Sequence, residues 1–290
     1  MRAILSALVQ FLRTVTATRT GQIALGVCLL CALLAVFAPW IAPYDPTQKH
    51  YDTAGKLLRI ADPSFTHWLG TTSLGRDVLS QMIWGARPAM LVGLVVALGS
   101  AIIGANIGLL AGFYGGRFDN LLMRFTDIVM GVPFLPFVIV ILSVSGKSLS
   151  SLILAMTLIM WRASARIVRA QVMSLKQMPF VAAARITGAS DLAILYREIA
   201  PNIVPLALVN MAFALAWAIT TEASIGFLGF GDPDVISWGS IIYDAFASQA
   251  MYRAPWWVAP PGFAIMVLVS AVYLVGREYE RVVNPRLAGP

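Results

Sequence analysis

Six stretches of this chain run from 14 to 29 residues without a single Asp, Glu, Lys or Arg, and this spacing limits the fold more than any other feature. A helix needs about 20 mostly apolar residues to cross about 30 Å of hydrocarbon. Inside lipid it must also satisfy its own backbone polar groups, which helices do and open strands do not. Only 12% of the 290 residues are charged, about half the ~25% of a soluble domain. Too few polar side chains remain to coat a water-facing surface. Disorder fails as well, because it requires low hydrophobicity. The pattern predicts an all-α polytopic membrane protein.

The charges that bracket each stretch set the expected spans. The first runs from Ile23 to Ile41 and ends among Pro39, Trp40, Pro43 and Tyr44, whose rings suit a membrane interface. Pro39-Trp40-Ile41-Ala42-Pro43 is a poor small-residue cleavage site, so this is read as a retained helix rather than a signal peptide. The second covers about Ala89–Gly112 and the third about Ile128–Val144. The fourth begins after Lys147, stays apolar to Trp161 and then acquires Arg162, Arg166 and Arg169 on one helical face. The fifth lies between Glu198 and Glu222, and the sixth between Arg253 and Arg277. Six spans place both termini on one side. With that side inside, basic residues number 14 within and 7 outside, the bias expected when Lys and Arg set orientation. Both termini are therefore expected in the cytoplasm. The +7 net charge then reads as topology, and no nucleic-acid partner is expected.

No catalytic constellation is visible. The two histidines, His50 and His67, and the two cysteines, Cys28 and Cys31, lack the spacing of a metal site or a disulfide framework. Gly146-Lys147-Ser148 imitates the end of a phosphate-binding loop, but the glycine required five residues earlier is Ile141. The chain is accordingly expected to be no enzyme, with no metal site and no cofactor of its own. Gly104, Gly108, Gly112 and Gly116 recur every four residues, a ridge that lets another helix approach closely, either within this subunit or from a partner. The arginine row is readable as interfacial anchors or as a contact with a cytoplasmic partner. Thr220, Thr221 and Glu222 fall at the end of the fifth span, where an ionisable group should face protein or water. Glu222, with Thr221 and Ser224, is a candidate pathway lining or gate, or alternatively an interfacial cap. Asp77 and Arg87 are a candidate exposed ion pair.

The 178–201 loop is the most informative segment. Pro179 suits a first helical turn, the alanines that follow make a thin-faced helix, and Gly188 can end it in a left-handed turn. Ser190 and Asp191 can each cap a following helix. The spacing Ala183-Ala184, Gly188, then Ile199-x-Pro201 resembles the EAA loop of ABC-importer permeases, with Ala182 where that motif carries glutamate and Ala200 in place of the leucine before the proline. The resemblance implies a coupling helix docking on an ATPase subunit through Phe180, Ala182, Ala183, Ala184, Arg185, Gly188, Ala189, Ser190 and Asp191.

Further blocks narrow the family. His67-Trp68-Leu69-Gly70-Thr71, Gly75-Arg76-Asp77-Val78-Leu79-Ser80 and Gly85-Ala86-Arg87 are similar to the C-type subunit of dipeptide, oligopeptide and nickel permeases. So are Gly115-Gly116, Asp119, Arg124, Asp127 and Pro133, and later Glu222-Ala223-Ser224, Phe227-Leu228-Gly229, Ser237-Trp238-Gly239 and Trp256-Trp257 with Pro260-Pro261-Gly262. Thr72 stands where the family has aspartate. The resemblance implies a type I ABC-importer permease fold, divided here as 1–87 (N-terminal segment, first helix and outer segment), 88–277 (the five-helix core with the 178–201 loop) and 278–290 (a cytoplasmic tail). It implies a second, B-type permease, two ABC ATPases that hold ATP and magnesium, and an extracytoplasmic substrate-binding protein. That protein would dock near Trp68, Gly70, Gly75, Arg76, Asp77, Arg87, Trp238 and Gly239. The expected cargo is a peptide, with nickel chelates or another small solute as the alternative. A secondary transporter or channel working without an ATPase would need ionisable groups at mid-helix, which the span assignment does not provide.

Overall fold

The computed structural model describes residues 2–283; expectations that fall on residues 284–290, including Arg286 and most of the tail, lie outside the described residues. Among the described residues the chain is helical, with two isolated β-bridges, Tyr51 to Leu57 and Thr71 to Asp77, in the long segment after the first span. Helix α1 (Arg2–Thr16) was not expected from the charge pattern. It meets α2 (Arg19–Ile41) at Thr18, whose hydroxyl accepts the Gly21 amide at 3.0 Å and caps the new helix.

Helix α3 (Val78–Tyr114) has 37 residues and is about 55 Å long at 1.5 Å per residue. It starts eleven residues before the expected span because neither Arg87 nor Pro88 ends it. The Arg87 guanidinium lies over the Trp84 ring at 4.9 Å, so the charge rides on the helix surface. Asp77 caps the first turn, accepting the Ser80 amide at 2.7 Å.

The third expected span is broken. Helices α4 (Gly116–Gly131) and α5 (Phe134–Ser145) meet at an 83° bend. Val132, the residue before Pro133, is extended at φ −76° and ψ 123°, as the clash with a following proline ring demands. Among the described residues five helices are long and apolar enough to span the bilayer, and the bent pair has the length and apolarity of a sixth span or of a re-entrant loop.

Helix α6 (Leu149–Leu175) is capped by Ser148. Then come α7 (Pro179–Ile186), the single turn α8 (Asp191–Ala193), a π-helical turn (Ile194–Ile199) and α9 (Ala200–Phe227). The short α10 (Trp238–Ala247) and α11 (Pro255–Val283) complete the described chain.

Helices α3 and α6 form the spine. A Cβ added to Gly104 would stand 2.6 Å from the Trp161 carbonyl oxygen. At Gly108 it would stand 2.6 Å from that of Ala165, and at Gly112 2.8 Å from that of Arg169. The glycine ridge therefore packs backbone to backbone inside this subunit. Gly116 does not belong to it: its φ is +59° and nothing lies within 4 Å. Helix α9 packs on α3 and α11, and α2 closes against α3 and α11. Large apolar side chains such as Ile23, Val36 and Leu121 stay exposed along the bundle, as a surface solvated by lipid allows.

Candidate functional site

At one end of the bundle, the 178–201 loop makes a rigid step with an apolar tip. Lys176 donates to the Gly112 carbonyl at 2.9 Å, tying the end of α6 to the end of α3. Pro179 occupies the first turn of α7, where its missing N–H costs nothing. Val181 points inward and packs with Val172, Ile194, Leu195 and Ile199. Gly188 has φ +81°, the left-handed conformation that side chains resist. The amides of Gly188 and Ala189 close back on the carbonyls of Arg185 and Ala184, both at 3.0 Å. Ser190 then caps the next turn, its hydroxyl accepting the Ala193 amide at 3.3 Å.

The residues read as coupling positions all stand at this step. Phe180, Ala182, Ala183, Arg185, Gly188, Ser190 and Asp191 are exposed, while Ala184 and Ala189 are half-buried. Ile186 is 87% exposed and Leu192 58%. Both leave large apolar side chains at the outer surface of the step.

Between α3, the α4–α5 bend, α6 and α9 lies a cavity of about 330 Å³. Arg162 and Asn210 bring polar groups to it, and Phe134, Met160, Ser164 and Trp217 are among its walls. The arginine row is thus divided. Arg169 grips Asp119 through two bonds of 2.5 Å, and Arg166 pairs with Asp127. These two fasten α4 to α6, while Arg162 turns to the cavity. Neither sequence reading of the row included this division, because it depends on where α4 folds back. The expectation of no ionisable group at mid-helix is corrected as well, since α6 begins at Leu149 and Arg162 is its central residue.

Glu222 is 4% exposed and lies five residues before the end of α9, beside Ser237 at the start of α10. Its Oε2 is buried without a hydrogen-bond partner. Thr221 is buried too, and Ser224 turns its hydroxyl back onto the Thr220 carbonyl at 2.7 Å. Thr221 and Glu222 face protein, Ser224 is half-buried, and none of the three lines the cavity between α3, α6 and α9. Helix α10 approaches so closely here that a Cβ on Gly239 would stand 2.2 Å from the Ala223 carbonyl oxygen.

The opposite end carries the 43–87 segment, built around Asp77. One carboxylate oxygen accepts the Ser80 amide and hydroxyl, both at 2.7 Å. The other meets His67 Nδ1 at 2.9 Å. His50 meets both Tyr44 and His67 edge to face, and Tyr44 and His67 are tilted against each other, with centroids 4.5–5.2 Å apart. Partial burial, first, and the neighbouring His67, second, lower the pKa of His50. Both histidines lack the spacing of a metal site, and nothing in their separation along the chain shows that their rings meet.

The expected Asp77–Arg87 ion pair does not form. Asp77 caps α3 and Arg87 lies ten residues along it, about 15 Å up the axis. Gly70 and Gly75 take φ +65° and +69° where Ala61 and Leu57 press against them. Trp238 is buried and donates from its indole to the Met82 carbonyl at 2.9 Å. Asp77, Gly70, Gly75, Trp238 and Gly239 therefore build this end rather than display a surface. Trp68, 71% exposed, is presented outward, and Arg76 lines a recess of about 340 Å³ with Lys147, Asp232 and Asp244.

A bundle of long apolar helices, one pair bent beside a half-open cavity and a short-helix step at one end, defines a polytopic helical membrane protein. The profile of the family described as "binding-protein-dependent transport system inner membrane component" matches residues 104–289, and that of the "N-terminal TM domain of oligopeptide transport permease C" matches residues 6–59. A putative peptide transport system permease protein of Brucella suis is 40% identical over 272 residues, covering 93% of this chain and 88% of that protein. The oligopeptide transport system permease protein of Bacillus subtilis is 35% identical, covering 93% and 86%. The di/tripeptide transport system permease protein of Pseudomonas aeruginosa is 36% identical, covering 89% and 86%. A solved chain of the MetNI methionine ABC transporter, in an inward-facing conformation, shares the fold at a TM-score of 0.53 and 18% identity, covering 72% of this chain and 97% of that one. The chain belongs to the binding-protein-dependent transport system inner membrane components, and it is a multi-pass inner-membrane permease of the ABC-importer fold.

Proposed function

We propose that this permease forms one half of the translocation pathway of an ATP-driven peptide importer, working by alternating access with both termini in the cytoplasm. Its partners are a second, B-type permease, two ABC ATPases that bind ATP and magnesium, and an extracytoplasmic substrate-binding protein. The observation that carries this reading is the mechanical continuity between the 178–201 step and the cavity. Helix α7 is clamped through Val181 to the inner faces of α6 and the π-helical turn. Helices α6 and α9, which leave that clamp, carry Arg162, Ser164, Asn210 and Trp217. A push on α7 therefore moves two cavity walls together. The peptide assignment is supported by the names of the relatives, which are peptide, oligopeptide and di/tripeptide permeases. A ligand that shifts two states must bind them differently, and ATPase closure against α7 supplies that difference.

Gly188→Arg tests this reading. No atom lies within 4 Å of a Cβ placed there, so the substitution strains only the local φ of +81° and places a charged side chain on the step. Affinity purification of the tagged permease from its native membrane should recover an ATPase with wild type and lose it, together with uptake of a labelled tripeptide, with the variant. Unchanged association and uptake would remove the coupling assignment.

A further inference from the structure

Three arginines lie on one face of α6, and two have carboxylate partners: Arg166 with Asp127 and Arg169 with Asp119. Arg162 has none within ion-pair distance among the described residues. Its single bond runs from Nη1 to the Ile159 carbonyl, one turn back on its own helix, at 3.2 Å. A guanidinium carries five N–H donors in a rigid fork that matches a carboxylate, so most of its donors are uncommitted. The side chain is half-buried in the wall of a cavity whose lining contains no Asp or Glu. An unneutralised charge in such a place is costly unless a partner arrives, and within a membrane segment it marks a functional position.

One neighbour has spare capacity as well. Ser164 Oγ is shielded, with its side chain packed toward Gly104 of α3, and offers the cavity nothing. Asn210 spends its Nδ2 on the Leu206 carbonyl at 3.1 Å, which leaves its Oδ1 free to accept. The remaining walls include Met130, Met160, Phe134 and Trp217, thioethers and rings that repack around different apolar shapes. The volume of about 330 Å³ lies within the roughly 300–1,000 Å³ of small-ligand sites.

We propose that Arg162 is a specificity residue of the translocation cavity that pairs with the terminal carboxylate of a short peptide, while Asn210 Oδ1 accepts one of its backbone N–H groups. One fixed charge meets the group that all linear peptides share, and adaptable walls meet the side chains that vary. The inference rests on the peptide-importer reading. A lipid phosphate offers the same oxyanion chemistry, and the test separates the two sources.

The test uses the complex purified through this chain, with Cys28 and Cys31 replaced by alanine and Ala163→Cys as the reporter. Ala163 is exposed and lines the same cavity. The rate of maleimide labelling is measured with Ala-Ala-Ala and with its C-terminal amide, and import of both peptides is followed in proteoliposomes with the binding protein present. The free acid should slow labelling at least threefold and the amide should not. Arg162→Gln should abolish that difference while ATPase subunits still co-purify, and Arg162→Lys should restore part of it. Equal protection by acid and amide overturns the assignment. So does labelling that neither peptide changes although Ala-Ala-Ala is imported, the result expected if Arg162 holds lipid phosphate. If the wild-type complex imports neither peptide, the peptide-importer reading fails and this inference fails with it.

Discussion

Asp77 uses both oxygens of its carboxylate, one to cap α3 through Ser80 and one to hold His67. Removing it leaves buried donors on both sides without acceptors. Asp77→Ala should lower stability by about 2–4 kcal/mol, from a lost cap and an orphaned imidazole. Asp77→Asn keeps an oxygen for the cap and should lose less than half of that. Thermal unfolding of the detergent-solubilised permease distinguishes the two, and equal losses would mean that the cap contributes nothing. His67, Gly75 and Asp77 were readable in the sequence as members of a motif, but the reason for their chemistry was not. Proximity in a motif suggested an exposed site, whereas the fold spends Asp77 on burial. Arg87, assigned to Asp77 from sequence, instead covers Trp84, because helical rise separates residues that the one-dimensional chain keeps close.

At the scale of elements, the α3–α6 contact depends on missing side chains. Gly108 stands so close to the Ala165 carbonyl that even a methyl group meets backbone at 2.6 Å, and backbone cannot rotate away. Gly108→Leu should cost about 3 kcal/mol, the upper end of overpacking penalties, and should yield aggregated protein on size-exclusion chromatography. Gly26→Leu on α2 is the control, since nothing lies within 4 Å of that position, and it should behave as wild type. The four-residue period predicted a close helix contact, and the structure chose its partner within the subunit. The same period wrongly included Gly116, whose positive φ starts a new helix. The bend between α4 and α5 escaped the span assignment for a related reason. A hydropathy run records length and apolarity, and Pro133 changes only direction.

At the scale of the whole molecule, the two ends of the bundle should face opposite sides of the membrane. Phe65 in the 43–87 segment is fully exposed and Ile186 on the step is 87% exposed, so a thiol at either position is open to reagent. In a background without Cys28 and Cys31, Phe65→Cys should react with a membrane-impermeant maleimide once the outer membrane is opened. Ile186→Cys should react only after the inner membrane is permeabilised. The reverse pattern would invert the topology.

By itself the sequence determined that the chain spans a membrane several times, because a long run without charge has few other stable solutions. It also determined that a helix, a left-handed glycine and a cap follow one another at residues 179–191, because each is a local backbone preference. Only the tertiary structure decided which arginine is free. Arg162, Arg166 and Arg169 are equivalent in spacing and type, and their roles diverge when α4 folds back and delivers Asp127 and Asp119 to two of them. Charge in a membrane protein takes its meaning from its partner, and the partner is set by packing between segments about 40 to 50 residues apart.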